Sequence, residues 1–432
     1  MSISNHHSNP GHLNNYYGLD STDHGSVSSL LSCLIEKALI DLEESYCVEA
    51  EDATLSPTTL GRIASYYYIN HLTVKMFRDK LSPSASIPEL ITIMSDAKEY
   101  AELPVRHNED AINGGLAQRL PLEVNPHTYD SSHTKTHLLL QAHFCRETLP
   151  SSDYLTDTKS VLDQAVRVLQ AMLDVSADQG WLVTTLQVIH LIQMVIQGAW
   201  WDRNALLTLP HVQLYHLYCF RTDGGRVMDA LPELMCAVKG RLDVLKRMIR
   251  DDMSEKQIDE LYDVLGRLPL IQISLSLMEQ DESGKSAAQQ IRQRTTRSSR
   301  DAWIPVQADQ EYVLRVNMMR MNKTQQRRES KAFAPKFPKP KDEGWIFVLG
   351  EVETREVIAL KRVAHVRQRS SVPVSFCTPE VEGRVIYTLY VMSDCYLGLD
   401  QQFDVCLDVQ SAGGSGDVTA DISEPSHVED GW

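Results

Sequence analysis

The sequence predicts an α+β, multi-domain chain: an all-α helical bundle, a shorter second helical piece, then an antiparallel β-sandwich. Three observations carry this. Between Ser26 and about residue 215 the apolar residues recur every three or four positions, the helical period. From residue 271 the period falls to two, with Ile271, Ile273, Leu275 and Leu277 alternating with Gln272, Ser274 and Ser276. The 432 residues are 43% hydrophobic and 23% charged, enough apolar material for more than one core.

The elements follow in order. Residues 1–25 are polar and expected to be loose. Val27, Leu30, Leu31, Leu34, Ala38 and Leu42 give a first helix its apolar side. Ser56-Pro57 reads as a helix start, a capping hydroxyl before a proline whose missing N–H costs nothing in the first turn. That helix is expected to run unbroken through LGRIASYYYINHLTVKMF. Ser86-Ile-Pro-Glu89 is a capping box, with Ile87, Leu90, Ile91 and Met94 facing inward. Further helices are expected at about 133–146, 157–176 and 181–199, with Gly180 ending the second and Trp181 opening the third. The second helical piece spans about 227–266, its last helix capped by Ser254 and Gln257. Strand-like runs follow near 303–307, 311–319, 345–352, 356–364, 372–377, 385–394 and 402–408. Short strands without intervening helices point to a sandwich. The tail from Ser411 is Gly/Ser-rich and acidic and reads as disordered.

Acids outnumber Lys+Arg by 58 to 42, a formal charge of −16, so the chain as a whole is not a polycation that coats nucleic acid. The charge is uneven: residues 285–341 hold 14 Lys/Arg against four acids. Arg292, Arg294, Arg297 and Arg300 lie in one loop, Arg327 and Arg328 in another. Such loops are most often simply solvated; they could also hold an acidic partner or nucleic acid. The prolines of FAPKFPKPK make that arm extended. Eight scattered cysteines with no C-x-x-C pair read as reduced thiols of a nuclear or cytosolic protein. The first 25 residues contain no signal-peptide core. The most apolar long stretch, 182–201, contains Gln187, His190, Gln193 and Gln197, costly in lipid, so it reads as a buried helix and no membrane partner is expected.

No catalytic or metal constellation stands out. Gly284-Lys285-Ser286 ends like a phosphate loop, but Glu279 occupies the first glycine position. His133 and His137 share a helix face near His143, without the glutamate of a metalloprotease helix; packed or solvated histidines are the commoner outcome. Gly413-Gly-Ser-Gly only partly matches a hydrolase elbow. Tyr66, Tyr67 and Tyr68 point in three directions on a helix, so at least one belongs to the core; packing is favoured over base stacking.

The helix at 157–176 is the most informative. Val161, Leu162, Ala165, Val166, Val168, Leu169, Met172 and Leu173 form a wide apolar face. Asp163, Arg167, Gln170 and Asp174, at i, i+4, i+7 and i+11, form one polar stripe. The ordinary reading is a solvated face with an Arg167–Asp163 pair worth roughly 0.3 kcal/mol. The sharper reading is a helix that lines a strand channel, its guanidinium meeting a phosphate or base plane. The residues alone favour the ordinary one.

GRIASYYY (61–68), LPVRHNED (103–110), LLLQAHF (138–144), LDQAVRVLQAMLDVSADQGW (162–181), FPKPKDEGWIFVLGEVETREVIALKRV (337–363) and IYTLYVMSDCYLGLDQQFDV (386–405) are long, specific motifs. They resemble the C-terminal accessory region of Ski-type superfamily 2 nucleic-acid helicases, a unit also called after the translocation protein Sec sixty-three. The resemblance covers roughly residues 15–410 and is weakest between about 215 and 300. It implies a winged-helix remnant and linker (1–47), a helical bundle with a ratchet-like helix (48–215), a helix-loop-helix domain (226–269), an immunoglobulin- or fibronectin-like sandwich (270–410) and an acidic tail (411–432). It assigns Arg167 to strand contact, with Asp163, Gln170 and Asp174 on the same face. Gln170 stands where some relatives carry a second arginine. The implied partners are single-stranded DNA or RNA, in the context of a full 3′-to-5′ helicase, and the other subunits of a cointegrator complex. ATP and Mg²⁺ belong to a motor that this sequence lacks, so the polypeptide is expected to be a fragment, a short isoform or an incomplete gene model, and not to hydrolyse ATP alone. The competing reading is a motor-less interaction scaffold.

Overall fold

The computed structural model describes residues 23–51, 54–279, 288–291, 303–322 and 330–411. The basic-loop residues Arg292, Arg294, Arg297, Arg300, Arg327 and Arg328, the first 22 residues and the tail beyond residue 411 lie outside them. The chain is α+β. Helix α1 (His24–Glu44) leads into a hairpin of β1 (Val48–Glu51) and β2 (Thr54–Pro57). Then come α2 (Thr59–Tyr67), α3 (His71–Lys80), α4 (Ile87–Ser95), α5 (Glu109–Ala117), α6 (Ser132–Cys145), α7 (Ser152–Asp178) and α8 (Leu182–Gln197). Three short helices follow in the 226–269 segment: α9 (Leu231–Val238), α10 (Leu242–Ile249) and α11 (Glu255–Arg267).

Local chemistry sets these boundaries. Both capping boxes form: Ser86 with Glu89 opens α4 and Ser254 with Gln257 opens α11. Gly180, at φ 73°, lets the chain turn from α7 into α8. Two expectations need correction. Ser56 and Pro57 close β2, where Pro57 pairs with Val48. The cap is Thr58, whose hydroxyl accepts from the Gly61 N–H at 3.1 Å. The helix through LGRIASYYYINHLTVKMF is broken in two. Tyr68 ends α2 in the left-handed region at φ 52°, and Asn70 caps α3 by accepting from the Leu72 N–H at 2.9 Å.

The strands form two sheets. One has the order β5 (Ile304–Gln307), β11 (Gln401–Gln410), β10 (Gly383–Ser393), β7 (Gly344–Glu351), β8 (Glu356–Ala364). The other runs β4 (Ala288–Ile291), β3 (Ile271–Glu279), β6 (Glu311–Arg320), β9 (Arg369–Cys377). Strand β4 is absent from the sequence reading. The sheets are not purely antiparallel, because β5 joins β11 in parallel, Leu407 opposite Ile304. All of β6–β10 separates the two strands, so no tight turn dictates opposite directions.

Strand β7 joins two cores, buried on both faces. Trp345, Phe347 and Leu349 pack with the sheets and with α9–α11, while Ile346 and Val348 join the core of α2–α8. Two glutamines of α8 seal this junction. Gln193 Nε2 donates to the Ser393 carbonyl at 2.7 Å and to Asp400 at 3.0 Å; Gln197 Nε2 donates to the Cys395 carbonyl at 2.7 Å. No helix among the described residues is long and apolar enough to cross a membrane. At the α7–α8 corner, Val357 N donates to the Gly180 carbonyl (2.9 Å) and Leu182 N to that of Arg355 (3.1 Å). A Cβ on Gly350 would lie 2.5 Å from the Leu182 side chain, so any larger residue there forces Leu182 to shift. These contacts bring β8 beside the C-terminal half of α7.

Candidate nucleic-acid interface

The N-terminal half of α7 is anchored by buried charge. Lys135 of α6 is fully buried, and its three N–H donors reach Glu109 (2.5 Å), Asp157 (2.7 Å) and the Pro104 carbonyl (2.8 Å). Arg106 donates to the same carboxylates, at 2.7 Å to Asp157 and 2.9 Å to Glu109. The Lys135 ammonium also lies 4.7 Å from the Tyr154 ring centre, and the Tyr154 hydroxyl donates to Asn113 at 2.7 Å. Burial raises the pKa of both carboxyls, but the hydrogen bonds and charges of Lys135 and Arg106 outweigh it and hold both below the usual range. The sequence reading missed this network, although Arg106-x-x-Glu109 carries an i, i+3 signal.

From Asp163 to Asp174 the helix carries the polar stripe. Asp163 pairs with Lys339 at 2.9 Å, not with Arg167 as the ordinary reading supposed. Asp174 accepts from the Tyr67 hydroxyl at 2.7 Å and from Arg362 of β8 at 2.6 Å. Both acids are thus neutralised by cations about 180 residues further along the chain. Arg167, half-buried between them, donates through Nη1 to the Tyr68 carbonyl at 2.9 Å and through Nη2 to Gln164. These bonds take two of the five guanidinium donors. The Gln170 amide is half-buried and makes no hydrogen bond among the described residues. Lys361, next to Arg362, is exposed.

Of the three consecutive tyrosines, Tyr67 is core at 7% exposure, while Tyr66 and Tyr68 are 76% and 85% exposed. The three histidines are held by protein groups. His133 Nδ1 meets the Ser95 carbonyl at 2.9 Å, His143 Nε2 the Val195 carbonyl at 2.8 Å, and His137 Nδ1 the Gln141 amide at 3.0 Å. Burial lowers His137 and His143 to about 4. No cluster able to hold a metal occurs among the described residues. A cleft of ≈ 700 Å³, where Arg146, Gln197, His211, Glu260, Arg267 and Lys336 meet, shares no residue with the stripe.

The model of the Sec63 Brl domain matches residues 57–406. Over 426 residues, 95% of this chain, the sequence is 48% identical to "Activating signal cointegrator 1 complex subunit 3" of Gallus gallus, of which it covers 19%. It is 35% identical to "DExH-box ATP-dependent RNA helicase DExH14" of Arabidopsis thaliana, over 90% of this chain and 16% of that protein. It is 33% identical to "U5 small nuclear ribonucleoprotein 200 kDa helicase" of Mus musculus, over 92% and 17%. The chain thus spans about a fifth of the length of the cointegrator subunits it matches. With its stripe-bearing α7 inside the matched residues, the chain belongs to the Sec63 Brl domain family.

Proposed function

We propose that this chain is a non-catalytic module of an ATP-dependent 3′-to-5′ DNA or RNA helicase, guiding one strand along the C-terminal half of α7. One observation carries the reading. Among the described residues Arg167 keeps free donors on a face whose two acids are already neutralised by Lys339 and Arg362, so an incoming phosphate meets net positive charge. In this reading α2–α8 form the bundle (48–215) with α7 as its ratchet-like helix. Residues 226–269 form the helix-loop-helix domain and 270–410 an immunoglobulin-like sandwich. ATP and Mg²⁺ act elsewhere in the longer helicase, the other cointegrator subunits are partners, and the protein works in nucleus and cytosol, in DNA repair, transcription coactivation and ribosome quality control.

Fluorescence anisotropy with a labelled 20-nucleotide strand tests the assignment. Arg167→Ala should weaken binding by roughly fivefold. Equal affinity of the two proteins would remove Arg167 from the interface. The purified chain should also show no ATP turnover, and turnover would contradict a passive module.

The scaffold reading draws on α1, which buries no residue and leaves Leu31, Leu34, Ile35 and Ile40 exposed, an apolar surface suited to a protein partner. Pull-down with Ile35→Asp on α1 separates the two readings, since only the scaffold depends on that apolar surface for partner capture.

A further inference from the structure

Tyr68 is the third residue of the tyrosine run, and the fold makes no use of its ring. It is 85% exposed, and among the described residues no ring or cation covers it. The backbone there is left-handed, at φ 52°, a helix-ending position that glycine or asparagine fills without strain. Tyr46 gives an internal comparison. It too is left-handed, at φ 57°, but the guanidinium of Arg78 sits 3.5 Å from its ring centre. Tyr46 therefore has a partner for its π face, and Tyr68 has none among the described residues. The Tyr68 carbonyl, moreover, is the acceptor held by Arg167 at 2.9 Å, which ties the backbone carrying this exposed ring to the stripe's central cation.

An exposed aromatic face next to a phosphate-seeking guanidinium is the pairing that single-strand grooves use, the cation tracking the backbone and the ring stacking a base. We propose that Tyr68 is a stacking platform for an unpaired nucleobase of the strand whose phosphate Arg167 meets. This rests on the strand-guiding reading above and deepens it. The ligand is a base of any identity, since every base offers a π face.

The test uses the whole chain and three labelled 20-mers: oligothymidylate, oligouridylate, and an abasic deoxyribose strand that keeps its phosphates and lacks bases. Tyr68→Ala should weaken oligothymidylate and oligouridylate binding by roughly tenfold, leave the abasic strand unchanged, and be rescued by Tyr68→Phe. Arg167→Ala should weaken all three. If Tyr68→Ala leaves the base-bearing strands unaffected while Arg167→Ala weakens them, the stacking role is overturned and the guiding role stands. If Tyr68→Ala weakens the abasic strand equally, Tyr68 only props Arg167 and stacking is again overturned. A wild-type chain that binds none of the three overturns both.

Discussion

Near the start of α7 the Asp157 carboxylate is buried and tied to α5 and α6; from Asp163 onward the charges lie nearer the surface and reach across to β8 and the 331–341 arm. Lys135, Glu109 and Asp157 are almost wholly removed from water, and every ammonium donor has an acceptor. Around Arg167 the pairs are open: Lys339 keeps 64% of its side chain exposed and Arg362 36%. The first arrangement has no capacity left for a ligand and serves to fix the helix. The second contributes little stability in high dielectric and leaves donors free. One helix can therefore be clamped at one end and available at the other.

The largest expected effect lies at the buried end. Lys135→Met leaves Glu109 and Asp157 with Arg106 alone, and removing one partner of such a buried cluster costs about 3–5 kcal/mol. Urea denaturation should show that loss; a change below about 1 kcal/mol would mean the network is not the clamp described.

Acid should sharpen the same contrast. His137 and His143, lowered to about 4, stay neutral in the fold while the unfolded chain takes up protons near its ordinary value of 6.5. Stability should therefore fall as pH drops from 6.5 towards 4. Asp400, raised to about 6 by burial against the hydrogen bonds of Gln193 and Ser393, opposes this between 6 and its ordinary 3.8, one group against three, since burial also lowers His190. Below the ordinary carboxylate range Glu109 and Asp157 are protonated in the unfolded chain first, and the fold loses their contribution as pH falls through their depressed values. A melting temperature flat from pH 7 to 4 would contradict the assignment of the buried imidazoles.

Smaller effects belong to the open end. Tyr67→Phe removes one hydrogen bond to Asp174 and should cost about 1 kcal/mol. Arg362→Ala should change stability by less than about 0.5 kcal/mol after solvent screening, yet weaken strand binding by unmasking the Asp174 carboxylate. Urea titration and anisotropy on the same samples read both.

Much of the fold was legible because its signals are local. The capping boxes at Ser86 and Ser254, the glycine turn at Gly180 and the two-residue period from Ile271 each depend on neighbours a few residues away. The α2–α3 break hid behind continuous apolar periodicity, since a tyrosine in the left-handed region has no sequence signature. The parallel β5–β11 pair depends on a long connection that no local pattern encodes. At the candidate site the Asp163–Arg167–Gln170–Asp174 spacing was visible, but Lys339 and Arg362 were not, since folding alone brings them there from distant parts of the chain. Lys135 was hidden for a related reason: a lysine in an α-helix reads as solvated until its buried acids are seen.

Salt dependence of strand binding tests the open end of α7 most directly. For the wild-type chain and Arg167→Ala, log affinity is plotted against log salt with a 20-nucleotide strand, and each protein's melting temperature is measured alongside. The strand-facing account predicts a slope smaller by about one ion in the variant with an unchanged melting temperature. Identical slopes and affinities, or a melting temperature that falls along with the affinity, would contradict it.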